Sequence, residues 1–187
     1  HGVPSDKNSH PHVSNNGKIA LVHNGIIENY DTIKTMLINK NFEFHSETDT
    51  EVLANLIQYF MDKEPTLEFS EAVRYALNEV YGAYAISVMH DDFPGQLIVA
   101  RLGSPLAVGI GENEYFVASD ASPFVEFTKE AVYLEEGHMA TISLESGIDI
   151  RTIKENAKIE PAIQELKLNL EQIEKGGYEH FMLKEIF

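Results

Sequence analysis

The chain has 187 residues, 43% of them hydrophobic, enough for one domain with a sizeable core or one domain plus a tail. Its formal net charge of −16 is spread along the chain and repels phosphate backbones. No apolar run approaches the roughly 20 residues of a membrane span, so neither nucleic acid nor membrane is an expected partner. Cysteine is absent, which excludes disulfides, thiolate zinc sites and a cysteine nucleophile within these residues.

Residues 1–17 read as a loop carrying three histidines and ending in the Asn15-Asn16-Gly17 turn. "KIALVHNG" (18–25) reads as a short buried strand. "YDTIKTMLINKN" (30–41) sets Ile33, Met36 and Leu37 at helical spacing, with Asp31 as a candidate N-cap. "FEFHSE" alternates like a strand. A second helix opens at "TDTEVLANLIQYFM", where Thr48 and Glu51 form a capping box and Val52, Leu53, Leu56, Ile57 and Phe60 make one apolar stripe. A third spans roughly 67–80 with Ala72, Val73, Ala76, Leu77 and Val80 inward. Seven short β-rich segments follow, from "AYAISVMH" to "GIDIRTI", and suggest an antiparallel meander. From Glu155 the helical spacing returns: Ile163, Leu166, Leu170 and Ile173 lead to Gly176-Gly177. Helices first and strands afterwards indicate α+β. No signal peptide is visible, and a start at His1 without methionine reads as a fragment or a processed product.

Candidate chemistry lies near the front: His1, His10, His12, His23, Asn24 and Asp49. Asn-Gly in "LVHNGIIENY" is by itself a hairpin signal, although here it interrupts an apolar run. Asp49, in the first turn of a helix, is either a dipole-stabilising carboxylate or an anchor for a ligand ammonium group. His10 and His12 are two apart in an extended "HPH", and with His23 and Asp49 they suggest a mononuclear metal site as one alternative.

"HGVPSDKNSHPH", "ALVHNGIIENY" and "SETDTEVLANLI", in that order, resemble the N-terminal-nucleophile (class II) glutamine amidotransferases. "RLGSPLAVGIG", "YLEEG" and "GGYEHFMLKEI" extend the resemblance over nearly the whole chain. "HPH" and "FMLKEI" favour the aminosugar branch over the purine-pathway branch, amidophosphoribosyltransferase.

The resemblance implies a four-layer αββα sandwich, incomplete at its N-terminus. Residues 1–154 would be the amidotransferase domain, and 155–187 a helical connector toward a sugar isomerase domain beyond Phe187. It implies that Asn24 and Gly25 form an oxyanion hole, that Asp49 holds the α-ammonium of L-glutamine, and that His1 lines the glutamine pocket. His10 would lie near the site, with His12 and His23 structural. The family's nucleophilic cysteine, its first strands and the arginine that grips the glutamine carboxylate fall upstream of His1. These 187 residues alone are therefore expected to be inactive. The implied parent is a cytoplasmic homodimer that uses no cofactor or metal and passes ammonia to fructose 6-phosphate. The rival readings are another class II amidotransferase, a non-catalytic glutamine-binding module and a metal hydrolase.

Overall fold

The computed structural model describes residues 2–166. Two antiparallel sheets and three helices make up the fold, and each helix follows its apolar stripe. Helix α1 (Tyr30–Ile38) buries Ile33 and Leu37. Asp31, the expected cap, falls inside the first turn instead. The N-cap position is Asn29, whose side chain instead bonds the Glu79 carbonyl and the Tyr81 N–H at 2.8 and 2.9 Å.

Helix α2 (Asp49–Lys63) is capped by Thr48, whose Oγ1 accepts from the Glu51 N–H at 3.3 Å. Only half of the expected capping box forms. The Glu51 carboxylate accepts from the His45 and Ser46 N–H groups at 2.8 and 2.7 Å, not from Thr48. That diversion explains why "FEFHSE" is not a strand: its backbone donors are taken by a helix side chain, while Phe42 and Phe44 still pack on the core. Helix α3 (Phe69–Glu79) buries Ala72, Val73, Ala76 and Leu77.

The first sheet contains β1 (His12–Val13), β2 (Ile19–Ile27), β3 (Gly82–His90), β4 (Gln96–Leu102), β8 (His138–Ser143), β9 (Gly147–Thr152) and β10 (Lys158–Ile159), side by side in that order. The second has the order β11 (Ile163–Glu165), β7 (Glu130–Tyr133), β5 (Ala107–Ile110) and β6 (Tyr115–Ala118). The strands therefore do not run as one meander. After β4 the chain leaves the first sheet to build β5–β7 and returns at β8.

Burial explains the departure. Ile98, Val99 and Ala100 in β4 are all fully buried, so both faces of this strand need cover. Ile98 and Ala100 join the core under the helices with Tyr84, Ile86 and Leu53. Val99 joins the core between the sheets with Val108, Val132, Ala140 and Ile142. The α+β class is as expected, and the described residues form three of the implied layers: helices, first sheet, second sheet. The outer face of the second sheet is covered by Phe124 and its neighbours.

The helical stripe expected from Ile163 is not what the described residues show. Ile163–Glu165 pairs with β7, and the Leu166 N–H donates to the Lys129 carbonyl at 2.6 Å. Pro161 and an available edge on β7 favour the extended chain there. Leu170 and Ile173 lie outside the described residues, as does His1. The segment read as loop over 1–17 also contributes β1, which pairs His12 and Val13 with Leu21 and Ala20 across the Asn15-Asn16-Gly17 turn.

Candidate active site

His23, Asn24 and Gly25 are not a turn. They lie inside β2 and pair with Ile86, Ala85 and Tyr84 of β3. Side chains alternate along the strand: Ile19, Leu21, His23 and Ile27 point to the helix side and are buried. Asn24 points to the opposite face with Val22 and Ile26, and its Nδ2 lies 3.4 Å from Ser119 Oγ, just beyond β6. Through the strand register Val13 and Met89 share this face, which is the face that faces the second sheet over β4 and β8. At β1–β3 it is open. Val22 is 40% exposed, Ile26 62% and Met89 58%, and the outer edge of β6 beside them has no paired strand among the described residues.

Gly25 has φ +135°, and a Cβ there would meet the Ala83 carbonyl oxygen at 2.0 Å. Gly82 and Gly103 are crowded close by: their added Cβ atoms would meet the Ile26 carbonyl oxygen at 2.1 Å and Ala83 Cβ at 2.6 Å, respectively. Gly103 is held by Glu136, whose Oε2 accepts its N–H at 2.7 Å, and Glu136 pairs with Arg101 at 3.2 Å. "RLG" and "LEEG", which in the sequence only extend the family resemblance, thus brace the backbone behind Gly25. Gly25→Ala is expected to destabilise the protein by about 3 kcal/mol or more, from left-handed strain plus overpacking. Gly17→Ala, at φ +77° with nothing within 4 Å, is the control and should cost about 1 kcal/mol. Chemical unfolding of both variants checks this. Equal losses would show that contact with Ala83 is not what requires glycine.

Asp49 sits under the far end of β2. It is 7% exposed; its Oδ2 accepts from the Ile27 N–H at 2.8 Å, while its Oδ1 is buried with no hydrogen-bond partner. Three histidines gather at the same helix start. His12 Nε2 is 3.1 Å from Thr48 Oγ1, His10 Nε2 is 3.4 Å from Thr50 Oγ1, and His23 Nδ1 is 3.2 Å from that same Thr50 oxygen. One nitrogen of each ring is turned to a hydroxyl, and the His10 and His12 rings meet edge to face at 5.4 Å. Among the described residues no group of three or more His, Cys, Asp or Glu side chains is gathered as metal ligands would be. Thr50, the residue that joins two of these histidines, carries no signal in the sequence, where Thr48 and Glu51 mark the cap. Two cavities of about 440 and 450 Å³ lie elsewhere and include none of Asn24, Gly25 and Asp49.

Burial lowers the pKa of His12, His23 and His90 below the ordinary imidazole value. The unfolded chain therefore binds protons near pH 6.5 that the folded chain refuses, and stability falls as pH drops through that value. Each such histidine contributes a slope of up to about 1.4 kcal/mol per pH unit below 6.5. The melting temperature is expected to be lower at pH 5.5 than at pH 7.5. A flat profile over that interval would show that these rings protonate freely in the folded protein.

A strand carrying His-Asn-Gly against the open face, backed by a helix that begins at a buried carboxylate, places the chain in a known class. It belongs to the glutamine amidotransferase domain family, whose model matches residues 2–126. Among its curated relatives are the glutamine–fructose-6-phosphate aminotransferases (isomerizing) of Chlorobaculum tepidum and Bacteroides thetaiotaomicron. The first is 50% identical over 187 residues and the second 50% over 188. Each comparison takes in all of this chain but only 30% of the relative's length. The Bacillus subtilis glutamine phosphoribosylpyrophosphate amidotransferase, solved with ADP and GMP, superposes with a TM-score of 0.67 at 30% identity, over 81% of this chain and 33% of that one.

Proposed function

We propose that this chain is the glutamine-hydrolysing part of an enzyme that makes glucosamine 6-phosphate and glutamate from fructose 6-phosphate and L-glutamine. The observation that carries the reading is Asp49: a carboxylate with one buried oxygen that has no partner, bonded through its other oxygen to the strand that carries the His-Asn-Gly segment. A buried unpaired carboxylate oxygen is costly, and a substrate ammonium group is the complementary partner. The 50% identity to the two aminotransferases, against 30% to the phosphoribosyl enzyme, favours fructose 6-phosphate as the ammonia acceptor.

In this reading a cysteine thiolate attacks the glutamine carboxamide carbon. The C–S bond forms as the carbonyl electrons move to oxygen, and the Asn24 side-chain amide and the Gly25 N–H stabilise that oxyanion. Ammonia leaves as the carbonyl re-forms, taking up the proton that the thiol gave to the cysteine's own α-amino group on ionising. Water then cleaves the thioester, releasing glutamate and restoring the thiol. His1 lines the glutamine pocket. The thiol is not among these 187 residues, which contain no cysteine. A cysteine-bearing segment laid on the open face of β1–β3 would bring one to Asn24. On the same reading the parent is a cytoplasmic homodimer, residues 1–154 are its amidotransferase domain and 155–187 its connector. Among the described residues no helix is long and apolar enough to cross a membrane.

The 187-residue polypeptide by itself is expected to release no glutamate from glutamine. Near-normal turnover from it would overturn the cysteine mechanism. In the cysteine-containing full-length protein, glutaramate, which is glutamine without its α-ammonium group, is expected to be a poor substrate. Formation of glucosamine 6-phosphate from fructose 6-phosphate tests the acceptor, and phosphoribosylamine formation in its place would make the purine-type reading correct.

A further inference from the structure

We propose that His23, oriented by Thr50, is a positioning residue that holds the Asp49 carboxylate ready for the substrate ammonium group. The proposal rests on the reading of Asp49 given above. His23 is 2% exposed and its Nδ1 faces two oxygens: Thr50 Oγ1 at 3.2 Å and Asp49 Oδ2 at 3.9 Å. Its other nitrogen, Nε2, is buried with no partner. Burial disfavours the imidazolium, so the ring carries one proton, and the surroundings decide which nitrogen bears it.

Two arrangements satisfy the Thr50 hydroxyl, which has one proton and lies between two rings. In the first, His23 Nδ1–H donates to Thr50 Oγ1, and the Thr50 hydroxyl donates to His10 Nε2, 3.4 Å away. In the second, the directions reverse. The His23 lone pair then points toward the Asp49 carboxylate, and its N–H lies at Nε2, which makes no hydrogen bond of good geometry even though the Ala83 carbonyl is near the ring. That arrangement adds electrostatic repulsion in a buried place to an unsatisfied donor. The first is favoured on both counts. It sets an N–H dipole beside Asp49 Oδ2, which also accepts the Ile27 N–H at 2.8 Å. With Oδ2 engaged from two sides, the carboxylate is held in one rotamer and Oδ1 remains the free oxygen. The chain His10–Thr50–His23–Asp49 thus ties the segment before β1 to the ammonium anchor.

Side-chain mimics separate positioning from packing. Asn can place its NH2 near the imidazole Nδ1, whereas Gln places it near Nε2. In the cysteine-containing full-length protein, H23Q is expected to raise KM for glutamine about tenfold with kcat within about threefold, the scale of one lost hydrogen bond to a charged group. H23N is expected to stay within about threefold of the parent in both constants. Thr50→Val should resemble H23Q, and Thr50→Ser should resemble the parent. D49N is measured alongside. If D49N raises KM and H23Q does not, Asp49 remains the anchor and the positioning role of His23 is wrong. If D49N leaves KM unchanged, both assignments fall. A parallel loss of kcat and melting temperature in H23Q and H23N alike would reduce His23 to a packing residue and sink the proposal. Nitrogen-15 shifts of labelled histidine decide the matter even if a variant fails to fold. The His23 signal is expected to show the Nδ1–H tautomer, and an Nε2–H tautomer overturns the proposal.

Discussion

Replacing Asn24 by Ala in the cysteine-containing full-length protein is expected to lower kcat for glutamine hydrolysis by roughly 10²–10³, with little change in KM. An oxyanion forms only as the carbonyl is attacked, so a donor aimed at it acts mainly in the transition state and contributes about 3 kcal/mol there. The fold should tolerate the change. Asn24 is exposed on the open face of β2, and its one side-chain hydrogen bond among the described residues is the 3.4 Å approach to Ser119 Oγ. Ser119→Ala is the companion variant. It removes that contact without touching the proposed donor, and kcat should stay within about threefold, the scale of a weak exposed hydrogen bond. Steady-state glutamate release on both proteins measures the difference. If Asn24→Ala keeps full kcat, Asn24 is simply an exposed strand residue.

Asp49→Asn is expected to act on the other constant. A carboxylate that grips the ammonium group holds the substrate and the transition state alike, so its loss raises KM more than it lowers kcat. A charge-assisted hydrogen bond in a partly buried pocket is worth about 1.5–3 kcal/mol, which corresponds to a loss of affinity of roughly 10- to 100-fold. Asn can still accept the Ile27 N–H. Helix α2 keeps its cap because Thr48 Oγ1 accepts from the Glu51 N–H, and the Glu51 carboxylate ties down His45 and Ser46. The lost dipole contribution is under about 1 kcal/mol. Kinetics and melting temperature are measured on the same preparation. An unchanged KM with a melting point several degrees lower would mean that Asp49 only stabilises the start of the helix.

The two residues also show how the candidate site is divided. Asn24 lies on the face of β2 that faces the second sheet, and Asp49 supports the strand from the helix layer. Gly25 and Ile27 are the backbone positions between them. A substrate reaching from one to the other would follow the exposed end of β2, where Ile26 is uncovered. The braces behind that end come from distant parts of the chain: Ala83 in β3, Gly103 after β4 and Glu136 before β8.

Much of this was legible in the sequence. Apolar spacing located α1, α2 and α3, because a helix that packs on a sheet must repeat its buried positions every three to four residues. Among the described residues, β3 to β9 matched the β-rich segments bounded by Gly, Pro and acidic turns, and β2 matched the strand read at 18–25. Thr48 marked the start of α2, and with it the place of Asp49, because capping is a local interaction between residues three apart. Asn-Gly, "FEFHSE" and the Ile163 stripe went the other way, and in each case a long-range partner overrode a local signal. Pairing with β3 keeps Asn24 and Gly25 within a strand, where a lone Asn-Gly would turn. Glu51 takes the backbone donors of residues 45 and 46, and β7 draws Ile163–Glu165 into a strand. The need for glycine at position 25 was equally invisible, since the atom that forbids a side chain belongs to Ala83, 58 residues away. Periodicity and caps are written within a few residues of one another and so survive in the sequence alone. Strand pairing, the crowding at Gly25 and the unpartnered oxygen of Asp49 depend on which distant backbone arrives alongside, and only the folded chain determines that.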